Sequence, residues 1–132
     1  MKIAVATNTG DIVGQHFGRV TQYRVFTIAD GKITGDELRE KPTMHGAHHH
    51  PHSGTSPEGH GYGTEARQHH LTMIDPIRDC DVLIAGMMGR GAYEHIQDAG
   101  IKVVLTDETF VENTVTAFLD GRLRNKLEER VH

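Results

Sequence analysis

Three short runs dominated by apolar residues limit what this chain can fold into: Lys2–Thr7 (KIAVAT), Cys80–Ala85 (CDVLIA) and Ile101–Leu105 (IKVVL). None alternates polar with apolar residues, so each reads as a strand covered on both faces rather than on one. Helix signals alternate with the last two. Ala92–Ala99 reads as a helix stopped by Gly100. The polar Thr106-Asp107-Glu108 leads into another with apolar positions Phe110, Val111, Val115, Phe118 and Leu119, stopped by Gly121. Strands alternating with helices imply an α/β sheet that is parallel in this half.

The front half reads differently. KIAVAT breaks into the turn cluster Asn8-Thr9-Gly10-Asp11, and Ile12–Arg19 (IVGQHFGR) is a loop with glycines flanking His16-Phe17. Tyr23–Ala29 is rich in β-branched and aromatic residues, Asp30-Gly31 is a hairpin signal, and the polar Lys32–Arg39 is its edge partner, ended by Pro42. A helix from Glu65 carries Leu71, Met73, Ile74 and Ile77, and Pro76 makes it bend or close in a short final turn. The chain's 132 residues suit one domain, with residues 1–121 forming its body around an insert at 44–70 and 122–132 a charged, partly helical or frayed tail.

The insert, Met44–His70, holds His45, His48, His49, His50, His52, His60, His69 and His70 out of 11 histidines in the chain, spaced by Gly, Pro, Ser and Thr. Turn-forming spacers let imidazoles converge without helical geometry, and neutral imidazole suits Zn, Cu, Ni and Fe. His45, His48, His49, His50, His52 and His60 are therefore candidate ligands. The competing reading is a solvated tract that binds any divalent ion in passing. His16 is a further candidate metal ligand and the best one for a fixed position: it stands beside the end of the first strand, with no neighbouring histidine to replace it. The plainer alternative is a hydrogen-bonding histidine at a loop corner.

Charge and cysteine usage narrow the classes. A net charge of -4 does not suit a nucleic-acid binder. The single cysteine, Cys80, forbids an internal disulfide and a four-cysteine iron-sulfur centre within one chain, and it reads best as a small core residue. No run reaches membrane-spanning length and the N-terminus has no signal-peptide pattern, so a cytoplasmic protein is expected. KIAVAT carries no carboxylate for a two-metal nuclease and no nucleophile–base pair is evident, so a non-enzyme is expected.

The order MKIAVAT, a GxHFGR loop, YRVFTI, DCDVLIAGMMGRGAYEHIQDAGIKVV, TDETF and FLDGRL resembles the dinitrogenase iron-molybdenum cofactor biosynthesis family, the NifX/NifB C-terminal/NafY-like domains. The resemblance implies a ribonuclease H-like α/β fold with a five-stranded mixed sheet flanked by helices. It also implies non-catalytic carrying or scaffolding of a metal-sulfur cluster (iron-sulfur, iron-molybdenum or a related molybdenum-copper sulfide). A cluster donor or acceptor is then the partner, and a monomer or weak homodimer the state. The long His-rich insert departs from many relatives and keeps a second function open, a Ni, Cu or Zn buffer that holds single ions.

Ligands of open α/β sheets sit outside the carboxyl ends of strands. The loop after the first strand, the insert and the GMMGRG loop are expected to gather there. The candidate binding residues are Asn8, Gly14, His16, Phe17, Gly18 and Arg19 in the first loop. In the last they are Gly86, Met87, Met88, Gly89, Arg90 and Gly91. Amides at a helix start, with Arg19 and Arg90, would suit the sulfurs of an anionic cluster. The plainer alternatives are tight connections for the glycines, core packing for Met87 and Met88, and a surface role for His95.

Overall fold

The computed structural model describes residues 1–42 and 73–132. Its strands are β1 (Lys2–Thr7), β2 (Gln22–Ala29), β3 (Lys32–Glu40), β4 (Val82–Ala85) and β5 (Lys102–Leu105). Its helices are α1 (Arg90–Asp98), α2 (Val111–Leu119) and the single turn α3 (Leu127–Arg130). The strands form one mixed five-stranded sheet in the order β3-β2-β1-β4-β5. The β1–β4 and β4–β5 pairs are parallel, and β1–β2 and β2–β3 are antiparallel.

Strand alternation explains the two cores. Ala4, Ala6, Leu83, Ala85, Val103 and Leu105 face one side, where Ile96 of α1, Met73, Ile74, Ile77 and Met88 cover them. Ile3, Val5, Val82, Ile84 and Val104 face the other and meet Val111 and Val115 of α2. β1 and β4 are therefore buried on both faces, as their unbroken apolar character requires. Each fully buried Leu or Ile side chain contributes roughly 1.5–3 kcal/mol before the entropy cost of ordering it.

The polar strand β3 lies at the edge, exposed along most of its length. Asp30 and Gly31 both have positive φ (54° and 74°), the geometry a two-residue hairpin needs. Pro76 sits in the first turn of a short 3₁₀ segment, Asp75–Ile77, which is the short final turn expected there. The rest of the helix expected from Glu65 falls mainly outside the described residues.

Some boundaries move. β4 begins at Val82 rather than Cys80, because the Asp81 carboxylate accepts from the Lys2 amide at 2.8 Å and turns the chain into the strand. α1 starts at Arg90, two residues before the expected Ala92, with Gly89 as an extended N-cap. Phe110 is the extended N-cap of α2 and 51% exposed, so it is not part of that helix's apolar face. The tail is ordered against the body: Leu127 and Val131 pack on the first core, and Asn125 Oδ1 accepts from the Leu105 amide at 3.0 Å.

A charged network ties β3 to the turn before β4. Arg39 donates from Nη1 and Nη2 to the Asp79 carboxylate at 2.6 and 3.1 Å and from Nη1 to the Pro76 carbonyl at 2.8 Å. Lys2 Nζ donates to the same carboxylate at 3.1 Å. The Arg39 fork, with help from Lys2, holds the Asp79 carboxyl well below the usual carboxylate range. Its contribution is present above the ordinary value of 3.8 and fades as pH falls below it. The carboxylate is half exposed, so Asp79→Asn is expected to cost about 1 kcal/mol at neutral pH. In urea unfolding, the gap between variant and parent should narrow by about pH 3. An unchanged midpoint at neutral pH would contradict this assignment.

Candidate functional site

β1 and β4 are parallel neighbours, so the loops leaving their carboxyl ends meet above the sheet. Thr7 folds the first of them. Its hydroxyl donates to the Ile12 carbonyl at 2.6 Å and accepts from the Gly10 amide at 2.9 Å. The Thr9 hydroxyl then accepts from the Asp11 and Ile12 amides, both at 3.1 Å. The loop is anchored at its far side by Asn8, whose Oδ1 accepts from the Thr21 amide at 3.0 Å.

Two glycines allow the loops to touch. The Gly86 amide donates to the Gly14 carbonyl at 2.9 Å, and the Phe17 amide to the Met87 carbonyl at 2.9 Å. A Cβ on Gly86 would stand 2.7 Å from Gln15 Cα and 2.9 Å from the Gly14 carbonyl oxygen, both backbone atoms. A Cβ on Gly14 would overlap the Val20 side chain. Gly86 is thus set by the close approach of another main chain, and Gly14 by the Val20 side chain. Gly18 and Gly89 differ, since a Cβ on either meets nothing within 4 Å.

A concavity of about 390 Å³ opens beside this contact, lined by Asn8, Thr9, Ile12, Val13, Gly14, Gln15, His16 and Arg19. Among the described residues its lining contains an imidazole and a guanidinium but no carboxylate. His16 is exposed and bridges backbone-to-backbone with Met87, and it starts the 3₁₀ turn Phe17–Arg19. Among the described residues no side chain caps α1, which leaves its first amides, at Arg90 and Gly91, for solvent or a ligand. Arg90 is exposed and Met87 half-buried.

Two candidates turn out to be core residues. Met88 and Phe17 are each 2% exposed and pack in the first core, so their side chains support the loops from beneath. Cys80 is buried just ahead of β4, at the opposite end of that strand from the loops. Burial, with the neighbouring Asp79 carboxylate, pushes its thiol up to about 12, which suits a packing role and not a thiolate ligand. His45, His48, His49, His50, His52, His60, His69 and His70 lie outside the described residues. Among the described residues, no group of three or more His, Cys, Asp or Glu side chains is arranged to hold a metal ion.

Lys41 is the residue that the sequence did not single out. It is 3% exposed, its Nζ donates to the Val20 carbonyl at 3.3 Å and lies 4.6 Å from the centre of the Phe17 ring. Its amide donates to the Thr21 carbonyl at 2.9 Å. Tyr23, on the same face as Phe17, donates from its hydroxyl to the Met73 carbonyl at 2.8 Å. Lys41 and Met73, either side of the insert, are thus held near the HFG turn. The only sequence signal for Lys41 was a lysine immediately before a strand-ending proline, which ordinarily marks a solvated surface.

The family model described as dinitrogenase iron-molybdenum cofactor matches residues 1–121. An uncharacterized protein of Methanocaldococcus jannaschii is 25% identical over 123 residues, covering 93% of this chain and 89% of its own. The apo form of the orange protein from Desulfovibrio gigas aligns at TM-score 0.58 and 26% identity, covering 94% of this chain and 91% of its own. PH0822 shares the fold at TM-score 0.69 and 19% identity, over 96% of each chain.

Burial of the Lys41 ammonium with a carbonyl and a ring as its only partners among the described residues lowers its pKa from 10.5 to about 8. The folded state releases this proton near 8, whereas the unfolded chain keeps it to 10.5, so stability rises with pH across that window. Lys41→Met is expected to raise stability at neutral pH by about 1–3 kcal/mol and to flatten that rise. Urea unfolding of parent and variant near neutral pH and at about pH 10 measures both effects. A variant less stable at neutral pH would show instead that the ammonium contributes net attraction.

Proposed function

For a chain that belongs to the dinitrogenase iron-molybdenum cofactor family, we propose a non-catalytic carrier or scaffold that holds a metal-sulfur cluster between the two loops and passes it on. The observation that carries this reading is the concavity beside the Gly14–Gly86 contact, whose lining among the described residues holds no carboxylate. A bare divalent cation prefers oxygen, nitrogen or thiolate donors in number. Among the described residues one imidazole and one guanidinium line it, and the uncapped start of α1 follows the adjoining 86–89 segment outside that lining. Together they suit an anion that brings its own sulfide ligands. His16 would supply the single protein ligand, with Arg19 and Arg90 on the anion's flanks and Met87 against its surface.

The strand order 3-2-1-4-5, with β1, β4 and β5 parallel, supports reading the fold as ribonuclease H-like. No helix among the described residues is long and apolar enough to cross a membrane. We assign the carrier to the cytoplasm, as a monomer or weak homodimer that meets a cluster donor or acceptor. The cargo is an iron-sulfur, iron-molybdenum or molybdenum-copper sulfide cluster.

Anaerobic incubation with ferrous iron plus sulfide, and separately with tetrathiomolybdate with and without copper(I), followed by gel filtration, tests this reading. Metal and acid-labile sulfide are expected to co-elute with the protein in at least one of these. His16→Ala is expected to lower the bound amount more than His45→Ala, His50→Ala or His60→Ala. Uptake of metal without sulfide, insensitive to His16→Ala and lost with the histidines of residues 44–70, would instead establish a buffer of single Ni, Cu or Zn ions.

A further inference from the structure

The family match ends at residue 121, yet the chain beyond it reaches the candidate site. The Gly86–Met88 segment lies between two others. On one side stands the first loop, through the Gly86–Gly14 and Phe17–Met87 bonds at 2.9 Å each. On the other is the C-terminal segment, where the Met88 amide donates to the Arg130 carbonyl at 3.1 Å and the His132 amide to the Met88 carbonyl at 3.0 Å. Met88 is 2% exposed, so these bonds satisfy main-chain groups that have little access to water. Val131 pairs with Met88 and packs on the same core, and the Lys126 amide donates to the Leu105 carbonyl at 2.8 Å.

The Arg130 side chain spans both loops. Its Nε donates to the Gly86 carbonyl at 2.7 Å, and its Nη2 to Gln15 Oε1 at 3.0 Å. Gln15 lines the concavity next to His16, and Gly86 is the residue whose main chain abuts Gln15 Cα. A guanidinium is suited to this because its donors are fixed in one plane, so two acceptors are held at a set separation. Lysine offers a compact charge on a flexible stem and cannot fix both.

We propose that Arg130 is a positioning residue: it sets the spacing of the Gln15–Phe17 and Gly86–Met88 segments, so that docking of the C-terminal segment and retention of the ligand are coupled. The ligand half of this rests on the carrier reading above. The loop-holding half does not. Coupling of this kind is reciprocal, so a bound ligand also tightens the C-terminal segment against the body.

Amide hydrogen exchange and tetrathiomolybdate titration, both anaerobic and on the full chain, test the two halves. The variants are Arg130→Ala, Arg130→Lys, Gln15→Ala and the Arg130→Ala/Gln15→Ala double. In the unliganded protein, Arg130→Ala should speed exchange at Phe17, Gly86 and Met88 about tenfold or more, with Ile84 and Val104 unchanged. In titration, Arg130→Ala should weaken binding about tenfold, Arg130→Lys should recover part of the loss, and the double variant should lose less than the sum of the singles. Unaltered loop exchange, or altered exchange with unaltered affinity, overturns the proposal. So does strict additivity of the two substitutions. If the parent does not bind tetrathiomolybdate, the carrier reading fails for that anion, and loop exchange alone then upholds or overturns the positioning role.

Discussion

The parallel pairing of β1 with β4 is the contact on which the rest depends. It aligns Ile3, Ala4 and Val5 with Val82, Leu83 and Ile84, and it delivers the loops that follow to one place. There the Gly86 amide reaches the Gly14 carbonyl, with no room for a side chain at either residue. Apolar alternation into two cores sets the strands, the strands set where the loops emerge, and the glycines set how closely those loops approach. A Cβ at Gly86 would push the segments apart by a few tenths of an ångström or more, and the His16–Met87 bridge stands next to that contact.

Charge complements this geometry. Among the described residues the concavity gathers His16 and Arg19 without a carboxylate in its lining, and α1 starts with no side-chain cap. Among the described residues, Asp11, Asp36 and Glu112 pair with Arg24, and Asp107 with Lys126. Lys41 adds a further cation, buried beneath the Phe17 ring. Holding an ammonium there costs folding free energy, and the Phe17 turn is built over it. This charge pattern suits the anionic cargo proposed above for a chain whose single cysteine is buried.

Much of this was legible in the residues. KIAVAT, DVLIA and KVVL had to be strands covered on both faces because they are apolar almost throughout, although KVVL lies at the sheet edge beside β4, and Asp30-Gly31 had to turn. The glycines around His16 and in GMMGRG announced loops, and the strands placed them together. Of these glycines Gly14 and Gly86 mark close approach whereas Gly18 and Gly89 do not. Side-chain direction was not legible. Met88 and Phe17 look like loop-mouth residues in sequence, and only the bend at Gly86 and the turn at His16 send them into the core. Nor could a charged tail show that Arg130 has a carbonyl and an amide to hold, since both acceptors are more than 40 residues away in the chain. Lys41 was hidden for the same reason, as its partners Phe17 and Val20 come from another loop.

An anionic cluster held between the loops at residues 8–19 and 86–91 would perturb both of them at once. A two-dimensional amide and imidazole NMR spectrum of the labelled full chain, titrated anaerobically with tetrathiomolybdate, reads this out. The largest shifts are expected at Gly14–Arg19 and Gly86–Gly91, with the His16 ring nitrogens among them. Shifts confined to residues 44–70, with both loops undisturbed, would contradict it.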